Sequence, residues 1–131
     1  MATWDEVRTA ALRLPEVTEA EGRTRSWRVR GKPLAWERPL RRADLEALGD
    51  AAPTGPILGI RTVGVAEKEE LLVALPLVFF TTPHFDGYPA VLARLAPLEV
   101  PVLEQLLLEV WLDRAPKKLV RSYLAANPPT R

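Results

Sequence analysis

His84 is the only histidine of this 131-residue chain, and it lies in residues 83–88, which read P-H-F-D-G-Y. Together with Asp86 it supplies an imidazole and a carboxylate, groups that bind metals or transfer protons. A closed zinc site needs about four ligands, and the chain has no cysteine. A general base needs a nucleophile within reach, and the neighbouring Thr81 and Thr82 are more typical of packing in a strand. We therefore predict no catalytic residue, no bound metal, no cofactor and no enzymatic activity.

The segment around His84 allows two further interpretations. Asp86-Gly87 is a turn dipeptide, because glycine adopts positive φ without strain. His84 is therefore first of all a structural residue of a turn. Alternatively, His84, Asp86 and Tyr88 form a binding loop for a small molecule or a protein partner.

Charged residues are segregated along the chain although the net charge is only +1. The net charge is −3 over residues 1–22, +7 over residues 23–42, −8 over residues 43–113 and +5 over residues 114–131. Such blocks can form a basic face on a nearly neutral protein. The candidate contacts to nucleic-acid phosphates lie in the two basic blocks and are Arg25, Arg28, Arg30, Lys32, Lys117, Lys118 and Arg121. The alternative for both groups is an ordinary solvated surface.

The basic residues of the first block lie on a predicted β-hairpin. In residues 23–31 the apolar Trp27 and Val29 alternate with Arg28 and Arg30, the pattern of a half-buried strand. Residues 31–33, G-K-P, predict the turn, and residues 34–37 predict the returning strand. The arginines are therefore expected on the outer face of the hairpin, and both basic groups are expected to form one continuous positive surface.

The remaining pattern predicts an α+β fold with the topology αβββαββαα or one close to it. Thr3 and Glu6 form a capping box at the first helix, and residues 16–22 are expected to be an acidic loop. Residues 41–50 predict a short helix with Leu45 and Leu48 inward. Strands at residues 57–61, 78–80 and 90–95 and a helix at residues 66–75 follow. The longest helix opens at Pro101 with a core stripe, namely Leu103, Leu106, Leu107, Val110 and Trp111. A short basic helix over residues 117–126 ends the chain.

Length and hydropathy predict a single domain over residues 1–131, monomeric or weakly dimeric. No apolar run reaches about 18 residues, so no membrane partner is expected. The first residues, M-A-T-W-D-E-V-R, indicate an amphipathic helix rather than a signal peptide. A cytoplasmic location is the expectation.

Three motifs, in this order, resemble the MmcQ/YjbR family of small bacterial proteins. They are W-R-V-R-G-K-P-L-A at residues 27–35, P-H-F-D-G-Y at residues 83–88, and A-P-K-K-L-V-R at residues 115–121. The first is similar to the hairpin motif of that family, with Leu34 where an aromatic residue is usual. The stretch 38–56 is longer than in the shorter members.

The resemblance implies an antiparallel sheet with helices packed against it, including the C-terminal helices, similar to the frataxin (CyaY-like) arrangement. Members of the family are described as "double wing" proteins and are named as probable DNA-binding proteins. The sequence therefore favours a non-enzymatic nucleic-acid-binding protein with DNA as the candidate partner. A binding module that uses the loop around His84 is the alternative, and the near-neutral net charge argues against a dedicated DNA binder.

Overall fold

The computed structural model describes residues 2–128, so residues 1 and 129–131 of the predicted domain lie outside it. Six strands form one antiparallel sheet. They are β1 (Val17–Ala20), β2 (Ser26–Val29), β3 (Lys32–Glu37), β4 (Ile57–Arg61), β5 (Phe79–Phe80) and β6 (Ala90–Arg94). The α-helices are α1 (Trp4–Leu12), α2 (Arg42–Leu48), α3 (Val65–Ala74), α4 (Val100–Arg114) and α5 (Lys117–Ala126). The predicted α+β class is confirmed.

The strands lie in the order β1-β2-β3-β4-β6-β5. Helices α1 and α4 contact each other and pack on β1 to β4, while α3 contacts β5 and β6. We call the side of the sheet covered by α1 and α4 the helix side. It carries the larger core, with Trp27 and Trp111 fully buried. All five residues of the predicted α4 stripe are buried, because each lies on the face that packs on the sheet.

The opposite side of the sheet is covered only in part. A smaller apolar cluster lies under α2 and a 3₁₀ turn, Pro83–Phe85, and it contains Ile57, Phe80, Phe85, Ala90 and Leu92. On β2 to β4, the side chains that alternate with the buried residues of the helix side point to this opposite side, and Trp36 among them packs against the small cluster. We call the part formed by Arg28, Trp36 and Arg61 the open face. Arg28 is exposed there, whereas Trp36 and Arg61 are half-buried.

A β-bulge in β3 decides which hairpin residues share a side. Trp27 pairs with Ala35 and Arg28 pairs with Pro33, so Leu34 is the extra residue between them. Leu34 and Ala35 are both fully buried, because a bulge places two residues opposite one and re-aims the side chains beyond it.

The turn of this hairpin lies one residue earlier than the sequence pattern predicts. Arg30 and Gly31 have φ of 49° and 80°, and Val29 pairs with Lys32. Two successive residues with positive φ match the right-handed twist of the flanking strands. Lys32 therefore belongs to β3, and its side chain lies on the same side of the sheet as Val29.

Two other predictions from the pattern are wrong. The expected acidic loop at residues 16–22 contains strand β1, which pairs with β2 and buries Val17. In α2 the expected inward residue Leu45 is 46% exposed, whereas Asp44 is buried. A charged residue is buried there because it has a buried cation as partner, which a hydrophobicity pattern does not reveal.

Candidate functional site

A groove of about 570 Å³ lies between the end of β3, the segment that follows it, and the His84 loop. This volume is within the range of small-molecule sites. The groove combines cationic and aromatic side chains with the carboxylate of Glu37, which is paired with Arg25. The cationic and aromatic residues are chiefly Arg23, Trp36, Arg41, His84, Phe85 and Tyr88. Such a lining suits a ligand that has both a negative charge and a planar ring.

Lys68 of α3 holds the His84 loop in place. Its Nζ donates hydrogen bonds to the backbone carbonyl oxygens of Phe85 and Tyr88, the latter at 3.1 Å. The Lys68 side chain is buried, and burial lowers its pKa despite the nearby charges of Asp86 and Glu69. The loop conformation is therefore set by an element distant in sequence. Sequence reasoning missed this lysine, whose only signal is a single cation in an otherwise acidic and apolar helix.

A buried ion pair fixes the segment at the floor of the groove. Arg38 Nη1 lies 3.0 Å from Asp44 Oδ2, and the two side chains are 7% and 4% exposed. The Arg38 guanidinium also lies 5.3 Å from the centre of the Phe85 ring. Burial alone would raise the pKa of Asp44, but the Arg41 backbone N–H and the Arg38 charge hold that pKa below its ordinary value. The pair thus joins the start of α2 to the His84 loop.

Trp36 covers β4 at Gly59. A Cβ on residue 59 would lie 2.5 Å from both Cε2 and Nε1 of the indole, closer than any side chain tolerates. The buried indoles of Trp27 and Trp111 donate to Glu19 and to the Pro15 carbonyl. Trp36 lines the groove, and its Nε1 lies against Gly59 with no acceptor among the described residues.

The cations of the groove differ in how they are held. Arg23 and Arg41 are exposed, and neither guanidinium has a carboxylate within ion-pair distance in the part of the chain described. Beside the groove, Arg61 Nη1 donates to the Tyr88 hydroxyl at 3.0 Å, and its guanidinium lies 5.0 Å from the centre of that ring. Cations without a carboxylate partner among the described residues therefore line the groove at Arg23 and Arg41 and adjoin it at Arg61.

Two of the predicted phosphate contacts are already bound to carboxylates. Arg25 donates from Nε to Glu37 Oε1 at 3.1 Å, and its guanidinium lies 5.5 Å from the centre of the Trp4 ring. Burial would raise the pKa of Glu37, but the contacts with Arg25 keep it below its ordinary value. Arg30 binds Glu16, and that hydrogen bond lowers the pKa of Glu16. Arg25, in a half-buried pair, is poorly available to phosphates, whereas the exposed pair with Glu16 holds Arg30 only weakly.

The other predicted cations do not form one continuous surface. Arg28 lies on the open face, opposite the buried side chains of its own strand. Helix α5 packs against the core on the helix side through Leu119, Val120 and Tyr123, with the Tyr123 ring 5.0 Å from that of Trp111. Its exposed cations are Lys117, Lys118 and Arg121. The sheet therefore separates Arg28 from α5, which corrects the expectation of a single positive face, whereas Lys32 shares the helix side with α5.

Only two of the three residues of the predicted binding loop line the groove. His84 and Tyr88 line the groove, whereas Asp86 is exposed beside it and its carboxylate does not line it. The His84 ring meets the Phe85 ring edge-on at 4.9 Å. Among residues 2–128, no three His, Asp or Glu side chains are placed to share a metal ion. Over the same residues, no helix has the length and apolar character to cross a membrane.

Comparisons with known proteins give relatives and a fold. No family model matches the chain. The uncharacterized proteins Rv2570 of Mycobacterium tuberculosis and Mb2600 of Mycobacterium bovis are each 52% identical to it over 128 residues, covering 95% of this chain and 98% of theirs.

A solved structure shares the architecture. The Deinococcus radiodurans protein DR2400, described as a DUF419 domain, matches with a TM-score of 0.64 and 19% identity over 95% of this chain and 89% of its own. That identity supports the fold alone, and the resemblance to the MmcQ/YjbR family stays a prediction. The relatives carry more weight, because they match nearly their full length at high identity. This chain belongs to the same protein family as those uncharacterized mycobacterial proteins.

Proposed function

We propose that this protein is a non-enzymatic binding module whose groove takes a small anionic molecule with a planar ring. One observation carries the proposal. The groove unites the His84 loop with Arg23 and Arg41, which have no carboxylate partner among residues 2–128, and with the indole of Trp36. Charge-assisted hydrogen bonds from arginine suit a phosphate or a carboxylate.

The aromatic residues of the groove bind the planar ring of the ligand. Trp36 and Tyr88 border the cations, and a planar ring can stack on such side chains. The floor is rigid because the Arg38–Asp44 pair and Lys68 fix the two segments that enclose the groove. A preorganised site loses less entropy when the ligand binds.

Calorimetric titration with adenosine 5′-monophosphate tests the proposal, with adenosine and ribose 5-phosphate as probes that lack one half of the ligand. We expect the complete probe to bind more tightly than either half. Replacing both Arg23 and Arg41 by Gln should weaken binding about tenfold or more, as expected for lost hydrogen bonds to a charged group. Replacing both Lys117 and Lys118 by Gln removes the same charge on the helix side and should leave affinity within about twofold.

Two results would contradict the proposal. One is that none of the three probes binds at millimolar concentration. The other is that the groove and the α5 variants lose affinity equally, because a non-specific response to net charge would then explain binding.

A second candidate function is contact with duplex DNA through α5. It is supported by the exposure of Lys117, Lys118 and Arg121, which have no carboxylate partner among the described residues, and by the resemblance to a family named as probable DNA-binding proteins. Each neutralised phosphate releases a counterion, so such binding should weaken steeply with salt. A fluorescent duplex should be titrated from about 50 to 200 mM salt. The dependence of the logarithm of the binding constant on the logarithm of the salt concentration should become less steep in the double variant Lys117→Glu, Lys118→Glu and should not change in Arg41→Gln. A duplex that fails to bind at the lowest salt would exclude this function.

A further inference from the structure

Arg61 is a half-buried cation without a carboxylate partner among the described residues. It is half-buried on β4, and its Nε is inaccessible to solvent and makes no hydrogen bond. None of the described carboxylates lies within ion-pair distance of it, and its one hydrogen bond is the contact with the Tyr88 hydroxyl. Of the other shielded arginines, Arg25 and Arg38 are each paired with a carboxylate, whereas Arg94 and Arg114 resemble Arg61 in having no carboxylate within ion-pair distance among the described residues. Partial burial of an unpaired charge costs free energy, and an anionic ligand would remove that cost.

A second free cation lies on the same face. Arg28 donates only to Ser26 Oγ at 3.3 Å and to the Gly31 carbonyl at 3.4 Å, both near the limit of a hydrogen bond. It pairs with Pro33 on β3, and β4 with Arg61 is the next strand. Two strand spacings place the two backbones about 10 Å apart, within reach of a shared anion for two arginine side chains.

The open face is continuous with the groove through its aromatic residues. Ser26 pairs with Trp36 on β3, and the Arg28 side chain donates to Ser26 Oγ, so Arg28 extends along β2 toward the strand position of Trp36. Along the chain Ser26 lies between Arg23 at the groove and Arg28 on the open face. Tyr88 lines the groove and also holds Arg61. Trp36 and Tyr88 both line the groove, with Arg23 and Arg41 in it and Arg61 and Arg28 on the open face.

We propose that Arg61 and Arg28 form a second anion subsite, and that the natural ligand carries two anionic groups on either side of a planar ring. This inference rests on the proposed function of the groove and specifies its ligand. A ring held by Trp36 and Tyr88 places one anionic group at Arg23 and Arg41 and the other at Arg61 and Arg28. Two phosphates that flank a base have this chemistry, either in a free bisphosphorylated nucleoside or within a single nucleic-acid strand.

The test compares adenosine 3′,5′-bisphosphate with adenosine 5′-monophosphate by calorimetry. The bisphosphate should bind about tenfold more tightly, as one added charge-assisted contact would provide. Arg61→Gln should abolish that gain, and because Arg61 also holds Tyr88 of the groove it should weaken the monophosphate by a smaller factor. Arg28→Gln should have the same selective effect, and because Arg28 is exposed this variant remains informative if Arg61→Gln unfolds the protein. Arg94→Gln is the matched control, since Arg94 also lies over an aromatic ring, Phe80, at 4.7 Å.

The possible outcomes separate the two proposals. If the monophosphate binds and the bisphosphate gains nothing, or if Arg61→Gln and Arg28→Gln weaken both probes equally, the second subsite is wrong while the groove proposal stands. If neither nucleotide binds, both proposals fail. A hexadeoxyadenylate strand distinguishes the two sources, because tighter binding than the bisphosphate identifies a nucleic-acid strand and weaker binding identifies a free ligand.

Discussion

Trp36 and Gly59 form one interlocked contact, in which the indole occupies the space that a Cβ at position 59 would require. The two residues are register partners on β3 and β4. The absence of a side chain at Gly59 thus sets the height of the tryptophan above the sheet. It also sets the shape of the groove that Trp36 lines.

Gly59→Ala should therefore displace Trp36 and weaken ligand binding without unfolding the protein. We expect a loss of about 1–3 kcal/mol in the free energy of unfolding, the usual cost of overpacking, and a shift in tryptophan fluorescence. Gly22→Ala is the control, because a Cβ there meets no atom closer than 4.0 Å. Unchanged fluorescence and affinity in Gly59→Ala would show that Trp36 is not held by this contact.

Asp44→Asn should be among the most destabilising polar changes, because it leaves the Arg38 guanidinium buried and unpaired. Loss of one member of a buried pair costs about 3–5 kcal/mol. Urea unfolding at neutral pH measures it. Glu46→Gln on the same helix is the control, because the Arg42–Glu46 pair is 94% and 71% exposed and should contribute about 0.5 kcal/mol or less.

The same residue gives a pH dependence of defined sign. The pKa of Asp44 is below its ordinary value in the folded state, so the folded protein binds this proton less readily than the unfolded chain. The stabilisation is complete above about pH 4, the ordinary range of aspartate, and is lost as the pH falls through the lowered native pKa. The wild type should therefore lose stability more steeply than Asp44→Asn between neutral and acidic pH. Parallel curves would contradict the role of this carboxylate.

Lys68→Met should loosen the His84 loop, since it removes the charged donor that binds the carbonyls of Phe85 and Tyr88 and leaves them only the backbone N–H groups of Tyr88 and Ala90. A hydrogen bond to a charged group contributes about 1.5–3 kcal/mol. Hydrogen exchange of the amides of residues 85–88 and 90, measured by mass spectrometry or NMR, should become faster. Lys32→Met, at an exposed lysine, should leave those amides unchanged. Equal protection in both variants would exclude Lys68 as the anchor of the loop.

Lys68 also predicts a trend at alkaline pH. Because burial lowers its pKa in the folded state, the unfolded chain binds this proton more readily between that lowered value and about 10.4. The free energy of unfolding should therefore rise with pH across this window. The rise should be absent in Lys68→Met, and the difference between the two denaturation profiles isolates it from other titrating groups.

Arg30→Asn should raise the stability of the hairpin. Arginine at φ of 49° is strained, whereas asparagine adopts this region readily and favours the two-residue turn before Gly31. The lost pair with Glu16 involves side chains 58% and 45% exposed, and exposed pairs contribute little. We expect a gain of about 0.5–1 kcal/mol in thermal or urea unfolding. Arg30→Val should lose stability, and a loss in Arg30→Asn as well would show that the ion pair outweighs the backbone strain.

Local patterns were sufficient for most of the elements. The capping box at Thr3 and Glu6 is present as predicted. The α4 stripe is buried as its 3.6-residue period requires, and Trp27 and Val29 face the core while Arg28 faces solvent. Such features depend on neighbours within a few residues, and one sequence is enough to read them. Strand β1 was missed because its short run, Val17–Ala20, mixes polar and apolar residues and is a strand only by pairing with β2.

The candidate site depended on contacts between distant parts of the chain. The sequence indicated the loop at His84 and the basic hairpin, but not that Arg25 is bound by Glu37 while Arg61 has no counterion among the described residues. Whether a cation is free is decided by the residues that folding places around it. The extra residue Leu34 fixed which hairpin side chains share a face, and the sheet separated Arg28 from α5. Composition determined how much positive charge the protein carries, and only tertiary pairing determined where that charge remains available, because a charge interacts with its neighbours in space rather than in sequence.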